Sequence, residues 1–510
     1  MSRPAPESAP QPAKRWILAA TILGSSLAFI DGSTVNVALP ALQGDLGASV
    51  TDIGWVVNGY TLFLASLILL GGALGDHYGR KRLFALGVAL FALASAWCGL
   101  APNVGQLIAA RAVQGVGAAL LVPGSLAIIS ASFTGDERGG AIGLWSGFSA
   151  LTSAFGPPLG GLLIDTLSWR WIFFINLPLA AAVLFFLTRV PESRDPSAGR
   201  LDLGGSALVT LGLGALTYGL LEAGENGLGD PWVLASLAAG VGALVGFVGL
   251  EARLKNPMVP LGLFRSPTFS GANILTLLLY GALSGAFFFL PLNLQQVQGY
   301  TATEAGAALL PFVLLLSVLS RWSGGLITRF GAKVPLTVGP LVVAVGFGLF
   351  TLPGIGEGYW TTFFPAAVVL GLGMAVTVAP LTAAVMGSVP DYLAGTASGV
   401  NNAASRVAGL LAIALFGLLM LAVFGAALRG GVGALGLPGG AENEIYAQQG
   451  ALAALEAPKG LDDAQQRSVQ EAVSRAYLTG FRVVMATSAA LAVASAVVAW
   501  RLVEGKKAEG

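Results

Sequence analysis

Charge is what this sequence has least of. Of its 510 residues only 10% are Asp, Glu, Lys or Arg, while 55% are hydrophobic. Soluble domains carry about 25% charged residues. A water-facing surface for so long a chain cannot be assembled from so few charges, so much of that surface must face lipid. Cysteine is reduced to Cys98 alone, inside an apolar run, which excludes an intrachain disulfide. Histidine is reduced to His77, so no His/Cys set has metal-ligand spacing, and no HExxH, GxSxG or Walker glycine loop occurs. No catalytic or metal-ligating residues and no cofactor are therefore expected, and a nucleotide-driven pump would need its nucleotide site on another chain. A net charge of +1 gives no sign of a nucleic-acid partner.

What the chain has instead is glycine, 71 residues of it, set within apolar runs rather than in Gly/Ser linkers. Small residues let membrane helices approach closely where lipid offers no hydrophobic gain for association. About 20 apolar residues cross a bilayer core. Runs of that length lie near 16–40, 52–75, 83–101, 104–130, 139–164 and 170–190, then 203–222 and 231–250, then 268–294, 303–328, 333–352, 360–388, 395–427 and 479–502. They predict an all-α membrane protein of fourteen spans, grouped as six, two and six. The domain reading is a disordered cytoplasmic tail over 1–15, a six-helix bundle over 16–190 and a linker with two extra spans over 191–267. A second six-helix bundle follows over 268–502 with an outer loop at 430–478, and a cytoplasmic tail closes the chain over 503–510. The second half of that outer loop has helical periodicity running into the last span, as an extension beyond the membrane.

Positive charge orients the chain. With both ends inside, eighteen of the 27 Lys and Arg residues fall on inner segments and six on outer ones, leaving Arg111, Arg321 and Arg406 within spans. The halves also repeat. Gly71 to Lys81 after the second span aligns without gaps with Ser323 to Lys333 after the tenth, and Thr328 stands at the position of Asp76. Gly115, Gly117 and Pro123 are echoed by Gly371, Gly373 and Pro380, and Asp136 with Gly140 by Asp391 with Gly395. Repeated bundles around a midplane cavity are the architecture of alternating-access carriers.

An ionisable group inside a membrane is costly, and so is a functional candidate by default. Asp31 in the first span and Arg111 in the fourth are two such groups. At about 1.5 Å of rise per residue, both come to lie roughly 10 Å from the outer side of a core about 30 Å thick. A carboxylate there can bind and release a proton as the cavity changes its exposure, and the bland alternative is a static ion pair. In the inner loop after span two, Gly72, Asp76, Gly79, Arg80 and Lys81 form a candidate latch, with His77 a solvated bystander. Gly156, Pro157, Gly160 and Gly161 predict a kink with tight contacts on span five. Polar or aromatic positions on inward-looking spans are candidates for a cavity wall: Asn36, Gln114, Trp145, Phe148, Asn273, Tyr280, Asn293, Gln296, Asn401 and Arg406.

These segments carry a resemblance. Leu107, Arg111, Gln114, Gly115, Gly117, Ala118 and Ala119 match the span-four motif of major facilitator drug/proton antiporters. Gly72, Leu74, Asp76, Gly79, Arg80 and Lys81 resemble the superfamily's inner-loop motif, with His77 where a basic residue is commoner. Gly156 to Gly161 is similar to the antiporter motif of span five, with Thr152 at a position that usually holds glycine. Ile30 to Pro40 and Trp169 to Pro178 resemble segments of the fourteen-helix branch. The resemblance spans residues 14 to 503. It implies a major facilitator fold and outward proton/substrate antiport of small amphipathic compounds, that is, multidrug efflux. It also implies a monomer in the bacterial inner membrane, with protons as coupling ion at Asp31 and Arg111 and a direction-biasing kink at Gly156 and Pro157. An exporter dedicated to one natural product or lipid is the alternative. Some relatives carry an acid in span thirteen, where this chain offers Asn401, Asn402 and Arg406, which argues against strongly dicationic substrates.

Overall fold

The computed structural model describes residues 11–133, 135–194, 201–255, 257–390, 393–438 and 440–505. Every regular element among them is helical. The first half contains α1 (Gln11–Leu46), α2 (Val50–Tyr78), α3 (Arg80–Leu100), α4 (Val104–Ser132), α5 (Gly135–Thr166), the short α6 (Trp171–Phe174) and α7 (Asn176–Leu187). An antiparallel pair, α8 (Leu203–Asn226) and α9 (Pro231–Glu251), follows. The second half contains α10 (Pro267–Leu292), α11 (Ala302–Ala307), α12 (Leu310–Ser323), α13 (Leu326–Phe330), α14 (Lys333–Leu349), α15 (Phe363–Gly387), α16 (Ala394–Gly433), α17 (Ala441–Ala447) and α18 (Asp463–Leu502).

Twelve helices among the described residues are long and apolar enough to cross a membrane. The positions expected to supply the sixth and eleventh spans hold shorter apolar helices, Trp171–Leu187 and Lys333–Leu349. Each of these two is 17 residues long, at the short end of the length that crosses a bilayer, so twelve helices meet the length of a full span and the two remaining expected spans are met by shorter helices. The tenth expected span, 303–328, is not one rod. It breaks between α11 and α12, ahead of Pro311, and again at Gly324 and Gly325. The expected tail over 1–15 becomes helical from Gln11, and residues 1–10 lie outside the described set, as do 506–510 of the C-terminal tail.

The helix starts follow from local chemistry. Ser49 and Asp52 close a capping box on α2, Asn103 accepts from Gln106 N on α4, and Asp230 caps α9 with Pro231 in its first turn. Asp462 and Gln465 form the capping box of α18, which lets that helix begin well outside the apolar run and continue for 40 residues. At 1.5 Å per residue that is about 60 Å, twice the hydrocarbon thickness. α16 has the same length and runs beside it. The helical periodicity read in the second half of the outer loop corresponds to the first turns of α18, which starts at Asp463.

The repeat is visible in backbone geometry. Gly79 and Gly331, aligned in the sequence, both end a helix with positive φ, +116° and +72°, a region that side chains with a Cβ rarely adopt. Gly117 lets α4 approach α3 so closely that a Cβ would sit 2.7 Å from Phe91 N. Its counterpart Gly373 brings α15 to α14 in the same way, 2.6 Å from Val343 N. The side chains of Asp136, Thr328 and Asp391, and of Arg321, lie outside the described set.

Candidate functional site

Asp31 and Arg111 meet. Asp31 is 0% and Arg111 1% exposed, and Arg111 Nη1 donates to Asp31 Oδ2 at 2.5 Å. Each carboxylate oxygen of the pair accepts at least one hydrogen bond, and the guanidinium donates through both Nε and Nη1, which offsets part of the cost of taking the charges out of water. Gln114 Nε2 donates to Asp31 Oδ1 at 2.9 Å, and Gln114 Oε1 accepts from Arg111 Nη1 at 2.7 Å. Arg111 Nε donates to the Val56 carbonyl at 3.1 Å, and the guanidinium stacks on the Tyr60 ring at 4.3 Å. Asn176 Nδ2 reaches Asp31 Oδ1 at 3.4 Å and Ser95 Oγ at 3.0 Å, and Ser95 Oγ in turn donates to the Phe173 carbonyl. Five helices, α1 to α4 and α7, therefore converge on one carboxylate.

Helical spacing explains the convergence. Arg111 and Gln114 are three apart on α4 and so share a face, and Gly115 brings that face against the backbone of Tyr60 on α2. Asn176 opens α7, where the break after α6 turns its amide inward. Sequence reasoning missed Ser95 and Asn176 as members of this site. Asn176 was visible only as a polar residue in the Trp169 to Pro178 segment, and Ser95 carries no signal in an Ala/Ser-rich helix.

Beside the pair lies a cavity of about 430 Å³ between the two halves. The first half contributes Asn36, Tyr60 and Arg111, and the second contributes Tyr280, Phe287 and Arg406. Three of the ten wall candidates, Asn36, Tyr280 and Arg406, line it. The others are placed elsewhere. Gln114 is spent on the ion pair, because its amide is the correct length to bridge both partners. Trp145 donates its indole N–H to Ser25 Oγ at 2.9 Å, and Phe148 is exposed on α5. Asn401 donates to Asn273 Oδ1 and Thr276 Oγ1, holding α16 to α10. Asn293 is buried in the π-helical turn Asn293–Val297, and Gln296 donates to Gln43 Oε1.

α5 runs continuously through Pro157 and Pro158 of the span-five motif. Its glycines make two close approaches instead. A Cβ at Gly160 would lie 2.9 Å from Thr34 Cβ on α1, and one at Gly161 would lie 2.5 Å from Thr303 Cα on α11. From the other side, a Cβ at Gly306 would meet Pro157 C at 2.6 Å. Further bonds cross between the halves at this same face. Asp165 accepts from Ala302 N and Thr303 N, Gln295 donates to the Val37 carbonyl at 2.9 Å, and Gln43 donates to the Ala451 carbonyl at 2.9 Å. The cavity is thus sealed on the face away from the chain ends.

At the opposite face Asp76 pairs with Arg80 of its own loop at 2.8 Å. Gly72 packs on Pro123 of α4, and Gly79 makes the turn. Glu192, which the sequence reading left as part of a joint, accepts from Lys81 N at 3.0 Å and Arg82 N at 3.2 Å, and Arg80 N donates to the Ser193 carbonyl. A carboxylate on the first turn of α3 favours both its free N–H groups and its dipole.

Comparison with known proteins follows the same lines. A family model described as Major Facilitator Superfamily matches residues 21–413. The chain is 37% identical over 406 residues to a tetracenomycin C resistance and export protein of Streptomyces glaucescens, covering 78% of this chain and 74% of that one. It is 38% identical to a puromycin resistance protein of Streptomyces alboniger, over 80% and 82% of the two chains. A multidrug resistance protein of Mycobacterium tuberculosis is 37% identical over 78% and 74%. Among solved structures, a bacterial homologue of the human lysosomal transporter Spinster, inward-facing and occupied, superposes with a TM-score of 0.66 at 18% identity, covering 97% of both chains.

Proposed function

This chain belongs to the Major Facilitator Superfamily, and from that premise we propose that it is a proton-coupled antiporter that exports small amphipathic compounds by alternating access. It is a multi-pass membrane transporter, not an enzyme. The observation that carries the mechanism is the position of the Asp31–Arg111 pair: the carboxylate is buried and the arginine that holds it lines the cavity.

In the arrangement seen, the far face is closed by α5 against α11 and the carboxylate is held by Arg111. A proton taken up by Asp31 cancels its charge and so removes most of its attraction for the guanidinium, which frees Arg111 to reorganise toward the cavity. Cargo and proton then use neighbouring groups of one bundle, and rocking of the halves about the cavity exposes them to alternate sides. The chain sits in the bacterial inner membrane as a monomer with both termini cytoplasmic, and protons are its coupling ion.

Resistance and multidrug names among the relatives favour a broad cargo range, and the names of single compounds among them, such as tetracenomycin C, favour a dedicated exporter as the second reading. Purified protein in liposomes with an imposed pH gradient tests the proposal. Uptake of structurally unrelated amphipathic dyes, collapsing on addition of a protonophore, is the expected result. Movement of one metabolite or lipid and no dye selects the second reading, and movement indifferent to the protonophore refutes proton coupling.

A further inference from the structure

The cavity is lined by two arginines and no acid among the described residues. Arg111 is neutralised by Asp31, whose carboxylate faces away from the cavity into the α3–α4–α7 network. Arg406 on α16 has no such partner: no carboxylate lies within ion-pairing distance of it and no hydrogen bond holds it among the described residues, and apart from Arg111 the polar groups that share its wall are the neutral Asn36, Tyr60, Thr61, Tyr280, Ser284 and Ser405. A bare guanidinium within a membrane bundle is expensive, and such groups mark a substrate path. With five donors in a planar fork and no acceptor, it matches a carboxylate, phenolate or phosphate oxygen pair. The rest of the wall is apolar, with Phe287, Phe312, Leu316 and Ile413.

Resting on the transport reading above, we propose that the cargo is an amphipath with an acidic group, its apolar body against the α10–α12 wall and its anion on Arg406. A volume of about 430 Å³ suits one drug-sized molecule. Arg406 is then a specificity-determining residue, and cations are disfavoured by its uncompensated charge. Outward movement of an anion in exchange for an inward proton carries charge in one direction, so a membrane potential, negative inside, drives export even with no pH difference.

The test uses the full-length protein in nanodiscs and three near-isosteric probes: a naphthyl-alkyl carboxylate, its primary amide and the matching ammonium compound. Calorimetric binding is expected to favour the carboxylate over the ammonium by about tenfold or more, the scale of one charge-assisted hydrogen bond. Arg406→Gln should lose about that factor for the carboxylate and leave the amide unchanged, Arg406→Lys should keep most of it, and Arg406→Glu should reverse the order. Equal or tighter binding of the ammonium probe by the unsubstituted protein overturns the proposal, and needs no variant to fold. So does an equal loss for carboxylate and amide in Arg406→Gln. In liposomes, the binding order without movement of any probe refutes the export reading and leaves the anion site standing. Movement of all three at one rate does the opposite.

Discussion

A carboxylate and a guanidinium taken together out of water gain from each other only if every remaining donor and acceptor is also met. Around the pair Gln114, Asn176 and the Val56 carbonyl meet both carboxylate oxygens and the Nε of Arg111, so the cost of breaking it is high. Arg111→Ala leaves a buried carboxylate uncompensated and should cost about 3–5 kcal/mol of stability, measurable as a lowered melting temperature in detergent. Adding Asp31→Asn to that variant should restore part of the loss. Asp31→Asn alone should leave a monodisperse protein that binds cargo but no longer exports it against a pH gradient, read in proteoliposomes, and gradient-driven export at the unsubstituted rate would refute the assignment. At this scale the two charges were legible because charge is so rare in apolar runs. Ser95 and Asn176 were not, because a neutral polar side chain looks the same whether it bonds its own helix or another one.

Among the elements, the glycines decide which helices touch. Gly117 and Gly373 are equivalent in the repeat and each sits on the backbone of the preceding helix of its half. Gly117→Val should therefore separate α4 from α3 and cost upwards of about 1–3 kcal/mol, the usual range for overpacking, seen as a lowered melting temperature. Gly161 has a different consequence, because it faces the other half. Gly161→Val should wedge α5 from α11 and bias the carrier toward opening at the far face. With Cys98 buried and unreactive, a single reporter at Gln43→Cys should then be labelled by an impermeant maleimide severalfold faster than in the Gly161 background. Unchanged labelling would mean that the glycine merely saves space. The sequence suggested a kink here, since paired prolines usually bend a helix. The helix is continuous through Pro157 and Pro158, and its glycines pack against α1 and α11.

At the scale of the whole molecule, the arrangement of the helices fixes which segments cross and which way they face. α8 packs on α2 and α16 at the periphery and α9 packs on α8, and much of the surface of the pair is exposed, as expected of helices that face lipid. If the pair crosses, the turn between them lies on the far face with the start of α18. Gly229→Cys and Asp463→Cys should then both be labelled from outside intact cells, whereas Glu504→Cys should be labelled only after permeabilisation. Protection of Gly229→Cys would leave the pair lying along the membrane and reduce the count. The hydrogen bonds of Asp165, Gln295 and Gln43 between the halves also belong to this scale. They join segments 137, 258 and 408 residues apart in the chain, which no local pattern could have indicated.

Composition, periodicity and the internal repeat alone determined that this is a helical membrane protein with two related halves, and that Asp31 and Arg111 are among its costly interior charges. These features are local: hydropathy, spacing and the rarity of ionisable groups are read within one run of residues. Only the tertiary structure decided that Gln114 serves the ion pair while Arg406 stands unpaired in the cavity, that Asp76 pairs within its own loop while Glu192 caps α3, and that α5 seals against α11. Each of those depends on which faces of distant helices come into contact. In a bundle whose helices are apolar on all sides, that choice is made by close packing of small residues rather than by any amphipathic stripe the sequence displays.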